Sequence, residues 1–344
     1  MKPLNELVRP NILTLTSALQ HEIPAVQQDA LRLNRGESPY NAPLNHYPDS
    51  NLRALREAIG QLRGITADCI LPVCGTAEAI DILMRVFCIP GRDNVLCPLP
   101  ARQLYRHTAL ANDVEFRTVP PDNEYSLLAD HLLQCCNAQT KLILLSAPNT
   151  RTGGMPDPQE MLRLAEQFDG IVVVDEAYMD YSKARSMLYE LPTHPNLVVL
   201  QTFSKAWASA AIRLATCIAL PSIIRLLQAI RSNSSISLPT QKAALQILSQ
   251  RFDVQNWVRQ TVEEREKVIR ALRQLPFYEA DFPTETNFIL VQFKEAARLY
   301  QHLLAQGVCV DPCEGQGMPP GCLRITIGLP HENSRLLAVL RQFQ

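Results

Sequence analysis

The sequence predicts an α/β protein in which a large domain with a doubly wound, mostly parallel sheet precedes a small α+β domain. Short runs rich in Val, Ile and Leu alternate with helical patterns from about residue 66 to about residue 235. Most of these runs lack strict alternation of polar and apolar residues, which is typical of strands buried on both faces of a sheet. The pattern changes after residue 235, so we expect the chain of 344 residues to form two domains.

The predicted elements of the large domain follow one another in strand–helix order. Seven apolar runs are predicted as strands, at residues 69–73, 94–97, 114–119, 142–147, 171–174, 197–202 and 215–220. Four segments between them carry the helical pattern, at residues 77–87, 103–111, 126–135 and 158–168. The small domain is predicted to contain helices at 241–248, 254–275, 296–306 and 332–341 and strands at 287–291 and 322–327. We therefore expect an N-terminal arm over residues 1–34, a large domain over 35–235 and a small domain over 236–344.

Composition excludes several classes of protein. The chain has 33 Lys and Arg against 34 Asp and Glu, interspersed along its length, so no nucleic-acid partner is expected. It contains no apolar stretch long enough to cross a membrane, and its start lacks the apolar core of a signal peptide. The ten cysteines form no C-x-x-C pair and lie near no histidine cluster, which predicts free thiols in the cytoplasm and no metal site.

Two predicted strands end at residues whose side chains could take part in catalysis or binding. Asp175 follows the predicted strand at 171–174, and Lys205 follows the strand at 197–202. Ligands of open α/β sheets bind outside the carboxyl ends of the strands, so both side chains are candidates for a binding site. On their own, they are equally compatible with a structural ion pair.

Six segments, taken in order, resemble those of fold-type-I pyridoxal-phosphate aminotransferases, and the pattern is nearest to the histidinol-phosphate aminotransferase family. They are NHYPD at 45–49, CGTAEAI at 74–80, DEAY at 175–178, TFSKA at 202–206 with Arg213 beyond it, ETNF at 285–288 and GCLRITIG at 321–328. The resemblance covers nearly the whole chain. It implies pyridoxal 5'-phosphate as cofactor and a role in amino-acid biosynthesis, with an amino donor and a 2-oxo acid as small-molecule partners.

The resemblance assigns the catalytic roles to three residues. Lys205 supplies the primary amine that forms a Schiff base with the cofactor aldehyde, and the freed lysine then moves the proton. Asp175 holds the pyridine nitrogen protonated, so that the ring accepts electrons. Tyr178 bonds the 3-oxygen of the cofactor; its alternative interpretation is a core tyrosine with a satisfied hydroxyl.

The cofactor phosphate is implied to lie at the start of a helix, where backbone N–H groups and a planar guanidinium hold an anion. The residues implied to hold it are Gly75, Thr76, Ala77, Thr202, Ser204 and Arg213. Tyr47 resembles a tyrosine that reaches the phosphate in the neighbouring subunit, which implies a homodimer with shared active sites.

Arg324 resembles the arginine that clamps the substrate carboxylate, and it implies the pair glutamate and 2-oxoglutarate. Asn287 is expected beside it, either as a polar residue of the site or as a buried Asn bonded to the backbone.

The sequence also departs from the family pattern around the cofactor ring. Thr150 stands where the family has an Asn that bonds the 3-oxygen, Arg151 stands where it has a turn proline, and Ala77 often has an acidic counterpart. Arg102 takes the place of the aromatic residue that stacks on the ring. Because a guanidinium would be repelled by a pyridinium, we expect Arg102 to point outward or to bind an anionic substrate.

Further departures concern the substrate phosphate. The arm at 13–18 has no tyrosine, and Asp311 takes the place of a phosphate-binding arginine. A carboxylate repels a phosphate dianion, so either another group binds the phosphate or the donor is not histidinol phosphate. Two other functions remain open on this scaffold: an amino-acid decarboxylase or oxidase, and a non-catalytic homologue that binds the cofactor.

Overall fold

The computed structural model describes residues 2–18, 33–122 and 125–343, and its centre is a seven-stranded sheet. The strands are β1 (Ile70–Val73), β2 (Asn94–Pro98), β3 (Glu115–Val119), β4 (Thr140–Ser146), β5 (Ile171–Asp175), β6 (Leu197–Thr202) and β7 (Ala215–Ile218). They lie in the order β1-β7-β6-β5-β4-β2-β3. Neighbours from β6 to β3 are parallel, whereas β7 is antiparallel to both β1 and β6.

Both faces of this sheet are covered by a hydrophobic core, as the apolar runs predict. Every residue of β5 is buried. Ile171 and Val173 pack into the cluster on one face, while Val172 and Val174 pack into the cluster on the other. Since successive side chains of a strand point to opposite faces, a strand covered on both sides must be apolar throughout. The doubly wound α/β class is confirmed.

Helices cover the sheet and connect its strands. Those of the N-terminal and sheet regions are α1 (Leu4–Leu7), α2 (Pro10–Ala18), α3 (Arg53–Arg63), α4 (Gly75–Phe87), α5 (Gln103–Ala111), α6 (Ala129–Cys135), α7 (Pro158–Gln167) and α8 (Pro221–Ile230). Leu7 of α1, Val8 directly after it and Ile12 of α2 belong to the same core cluster as Val173. The described part of the predicted N-terminal arm therefore packs on the large domain; residues 19–32 lie outside the described part.

The C-terminal region forms a second, antiparallel sheet with its own core. Its elements are α9 (Leu238–Ser249), α10 (Arg251–Leu272), β8 (Tyr278–Asp281), β9 (Phe288–Phe293), α11 (Ala296–Ala305), β10 (Cys322–Thr326) and α12 (Pro330–Leu340). The strand order is β10-β9-β8. The helix α10 links the two regions, because Val254 packs with the large-domain residue Trp207 while Leu272 packs in the core of the small sheet. This is the small α+β module that the sequence predicts.

Among the described residues, five of these elements have no counterpart in the predicted strands and helices: the strand β8 and the helices α1, α2, α3 and α8. The edge strand β8 has the sequence YEAD, and its side chains are partly buried or exposed, so it contains no apolar run. The helices α3 and α8 lie before and after the part of the chain in which strand and helix patterns alternate most clearly. Within the described residues, no helix is both long and apolar enough to cross a membrane.

Candidate active site

The candidate residues meet at the carboxyl ends of β4, β5 and β6. Asp175 is the last residue of β5 and is paired in register with Ser146, the last residue of β4. Lys205 comes three positions after the end of β6. Parallel strands deliver their carboxyl ends to the same edge of the sheet, which brings these side chains together.

A succession of close contacts runs from Lys205 to the small domain. The Lys205 Nζ lies 5.3 Å from the centre of the Tyr178 ring. The Tyr178 ring meets Phe288 edge to face, with centroids 5.3 Å apart, and the guanidinium of Arg324 lies 4.9 Å from the Phe288 ring centre. The predicted amine, phenol and carboxylate-binding arginine therefore line one continuous site between the two domains.

Four of the predicted phosphate-binding residues lie at the N-terminus of α4: Gly75, Thr76 and Ala77 begin the helix, and Arg213 reaches its start. Gly75 opens this helix with φ +78°, and a Cβ added to it would lie 2.7 Å from Arg213 Nη2. Only glycine lets that guanidinium approach the helix start so closely. The two predicted hydroxyl donors contact each other, because the hydroxyl of Thr202 donates to Ser204 Oγ at 3.1 Å. Free N–H groups and a guanidinium at a helix start form an anion site.

Asp175 is held by an arginine of the large domain itself. Arg102 Nη1 lies 2.5 Å from Asp175 Oδ2 and 3.3 Å from the hydroxyl of Thr76. The phenol of Tyr105 donates to the same Asp175 oxygen at 2.8 Å, and the N–H of Ala177 donates to the other oxygen. The Asp175 side chain is 1% exposed and that of Arg102 is 28% exposed. Arg102 thus takes neither predicted orientation, since it points inward and its partner is an internal carboxylate.

This arrangement fixes the charges around Asp175. Burial opposes the charge of the Arg102 guanidinium, but the Asp175 carboxylate beside it raises the pKa of Arg102 above its ordinary value. Burial, with the same carboxylate nearby, raises the pKa of Tyr105 well above its ordinary value. The phenol therefore stays neutral and serves as a donor, while the guanidinium stays charged.

A second ion pair lies at the other end of the site. Arg324 Nη2 is 2.8 Å from Asp311 Oδ2, and Arg324 Nη1 donates to the Thr150 carbonyl at 2.9 Å. Arg151 Nη1 lies 3.6 Å from the same Asp311 oxygen. Asp311, which departs from the family pattern, is thus paired with the retained Arg324, and Arg151, which also departs from it, lies beside the same carboxylate.

The remaining predicted residues are placed with fewer contacts. Asn287 is half-buried, and its carbonyl accepts from the N–H of Ile327. Ala77 lies in the first turn of α4. Tyr47 is 55% exposed, and its backbone N–H donates to Glu37 at 2.7 Å. Among the described residues, no hydrogen bond or ring contact joins Tyr47 to the rest of the site.

Two contributors were not singled out from the sequence. Tyr105 is buried and joins Asp175 to Ser146, whose hydroxyl lies 2.9 Å from its own. Tyr105 lies in the first turn of α5, three residues after Arg102, and this closeness in sequence was the available signal. Phe288 connects Tyr178 to Arg324 and belongs to the ETNF segment. Tyr105 and Ser146 also line a cavity of about 570 Å³.

Pyridoxal phosphate fits the residues present in two respects. At the start of α4, the absence of a Cβ on Gly75 lets the Arg213 guanidinium approach the backbone N–H groups, which together suit a phosphate. The Thr150 hydroxyl is buried and has no hydrogen-bond partner within the described part of the chain, which leaves it available to an oxygen of the cofactor. No cluster of metal-binding side chains was found among the described residues.

Comparison with known proteins identifies the family of the chain. The model of the family "Aminotransferase class I and II" matches residues 16–340. The histidinol-phosphate aminotransferase of Bacteroides fragilis is 36% identical over 346 residues, which is 100% of both chains. That of Flavobacterium psychrophilum is 33% identical over 340 residues, or 98% of each chain.

Solved structures show the same fold at lower identity. The histidinol-phosphate aminotransferase of Sinorhizobium meliloti, in complex with pyridoxal-5'-phosphate, matches with a TM-score of 0.79 and 19% identity over 97% of this chain and 87% of that one. The L-threonine-O-3-phosphate decarboxylase of Porphyromonas gingivalis matches with a TM-score of 0.73 and 20% identity over 87% of this chain and 93% of that one. The chain belongs to the class I and II aminotransferase family, as a pyridoxal-phosphate-dependent aminotransferase of fold type I that resembles the histidinol-phosphate aminotransferases.

Proposed function

We propose that this aminotransferase moves an amino group between a small amine or amino acid and a 2-oxo acid in the cytoplasm. Histidinol phosphate is the donor suggested by the names of its relatives, and glutamate with 2-oxoglutarate is the pair suggested by the family. The observation that supports the proposal is the unbroken succession from Lys205 through Tyr178 and Phe288 to Arg324. It links an amine for the cofactor to a guanidinium for the substrate.

Each residue of the site has a proposed role. The cofactor, when bound, supplies an aldehyde and a ring that accepts electrons. Lys205 binds that aldehyde and afterwards carries a proton on Nζ between donor and acceptor carbons. Tyr178 and Thr150 orient the ring through hydrogen bonds. Gly75, with its neighbours at the start of α4, and Arg213 hold the phosphate.

Asp175 is proposed to face the ring nitrogen. Its Oδ2 already accepts from Arg102 and Tyr105, whereas Oδ1 accepts, among the described residues, only from the N–H of Ala177. A carboxylate oxygen accepts about two hydrogen bonds, so Oδ1 keeps one position for a protonated ring nitrogen.

We also propose that the active enzyme is a homodimer. Tyr47 is exposed on this chain, as are the nearby Tyr40 and Leu44. An exposed aromatic and apolar segment is typical of a protein interface. In a dimer with shared sites, Tyr47 would reach the phosphate bound by the partner.

The first experiment is the absorbance spectrum of the protein loaded with pyridoxal phosphate, before and after addition of glutamate or, separately, histidinol phosphate. We expect a yellow band from the cofactor bound to Lys205 that bleaches with at least one donor. Lys205→Ala is the control and should show no such band. A band whose absorbance changes with neither donor would favour another donor, or the decarboxylase or oxidase alternative. Absence of the band in the unsubstituted protein would refute the proposal in favour of a non-catalytic homologue.

A further inference from the structure

The charge of Asp175 is already neutralised by a cation of the protein. Arg102 Nη1 lies 2.5 Å from Asp175 Oδ2, and the Asp175 side chain is 1% exposed. The other donors to this carboxylate are the phenol of Tyr105 and the N–H of Ala177, and both are uncharged. Asp175 and Arg102 together therefore carry no net charge, in contrast to a carboxylate that only neutral donors hold.

The guanidinium of Arg102 is held in this position by contacts on two sides. Its Nη1 lies 3.3 Å from the hydroxyl of Thr76, which is in the first turn of α4. Its Cζ lies 5.8 Å from the centre of the Tyr105 ring. Arg102 directly precedes α5, and its carbonyl accepts from the N–H of Tyr105 at 3.1 Å. None of these contacts involves Asp175 Oδ1, the oxygen that is proposed to face the ring nitrogen.

The other titratable groups around this ion pair do not offset the charge of Arg102. Burial raises the pKa of Tyr105 well above its ordinary value, and burial also raises the pKa of the Cys97 thiol on β2, so both groups stay uncharged. Tyr178 is the third titratable neighbour, and its phenol contributes no cation. Within the described part of the chain, Arg102 is thus the one cation that is paired with Asp175.

We propose that Arg102 is a positioning residue that acts through Asp175 and lowers the proton affinity of the cofactor's ring nitrogen. The inference deepens the proposed role of Asp175 toward the ring and rests on it. A protonated ring nitrogen on Asp175 Oδ1 would be a second cation on a carboxylate that Arg102 already neutralises. The two cations repel each other, so the protonated ring is less stable than it would be on a carboxylate with neutral donors alone. Arg102 thereby makes the ring a weaker electron acceptor.

The test is the nitrogen NMR chemical shift of pyridoxal phosphate that carries an isotopic label at its ring nitrogen. It is recorded on the loaded protein from about pH 6 to about pH 9. Arg102→Gln removes the charge and keeps a side chain that can donate to Asp175. We expect the proton affinity of the ring nitrogen to rise by at least about 10-fold in this variant. Arg102→Lys keeps the charge and should restore most of the difference. Arg273→Gln, which breaks an ion pair with Asp281 in the small domain, is the control and should change nothing.

Two results would overturn the inference. One is an unchanged shift in Arg102→Gln, and the other is a ring nitrogen that is fully protonated in the unsubstituted protein over the whole pH range. The second result needs no variant, so it decides the question even if Arg102→Gln fails to fold. The measurement needs no amino donor. Loss of amino transfer together with the expected shifts would therefore count against the proposed function alone, whereas normal transfer with unchanged shifts would count against this inference alone.

Discussion

Arg102→Gln tests whether the guanidinium of Arg102 and the ring nitrogen of the cofactor share the Asp175 carboxylate. The substitution removes a charge that lies 2.5 Å from a carboxylate of which 1% is exposed. Loss of one partner from a fully buried pair costs roughly 3–5 kcal/mol. Here Arg102 is 28% exposed, and Asp175 retains hydrogen bonds from Tyr105 and Ala177. We therefore expect the free energy of unfolding of the cofactor-free protein to fall by about 2 kcal/mol.

Bound pyridoxal phosphate should reverse most of this loss. In the variant, a protonated ring nitrogen gives Asp175 the counter-charge that Arg102 supplied before. The assay is thermal unfolding with and without saturating cofactor. A drop of roughly 4 °C is expected without cofactor, and a clearly smaller one with it.

Arg163→Gln is the matched control, since it breaks ion pairs with Asp130 and Glu160 on the surface of α7. It should shift the unfolding temperature by less than about 2 °C in both states. An equal loss for Arg102→Gln with and without cofactor would refute the idea that the guanidinium and the ring nitrogen share one carboxylate.

Three other substitutions test the site. Lys205→Ala should abolish turnover and the cofactor absorbance band, because no other amine is assigned to the aldehyde; transamination near the unsubstituted rate would show that Lys205 has been misassigned. Asp175→Asn should weaken cofactor retention and slow proton removal, measured by equilibrium dialysis and by single-turnover kinetics with deuterated donor; unchanged kinetics would exclude its role toward the ring. Gly75→Ala should weaken cofactor binding by at least about 10-fold in dialysis, because its Cβ would lie 2.7 Å from Arg213 Nη2 at a φ of +78°. Gly64→Ala is the control for backbone strain alone, because Gly64 also has a positive φ but lies in open space. Equal cofactor affinity in both variants would contradict the proposed phosphate site at the start of α4.

Local composition was sufficient to predict most of the architecture. The strands of the central sheet are apolar because both faces are covered, so β5 and β6 stand out in the sequence. The edge strand β8 was missed for the same reason, since its half-exposed residues need not be apolar. Lys205 and Asp175 were candidates because they stand at the carboxyl ends of neighbouring strands, and their roles were predicted only from the resemblance to a known family.

The sequence by itself determined which residue types the candidate site contains, namely an amine, carboxylates and arginines, and their positions along a chain that resembles a known family. It also showed that Arg102 and Asp311 are unusual there. Which charges pair was decided by the tertiary structure, because Arg102 and Asp175 are 73 residues apart and Asp311 meets Arg324 only through a bridge between strands. Electrostatic pairing depends on distances of a few ångströms and on burial. Those quantities exist only once the helix start, the strand ends and the small domain have been brought together.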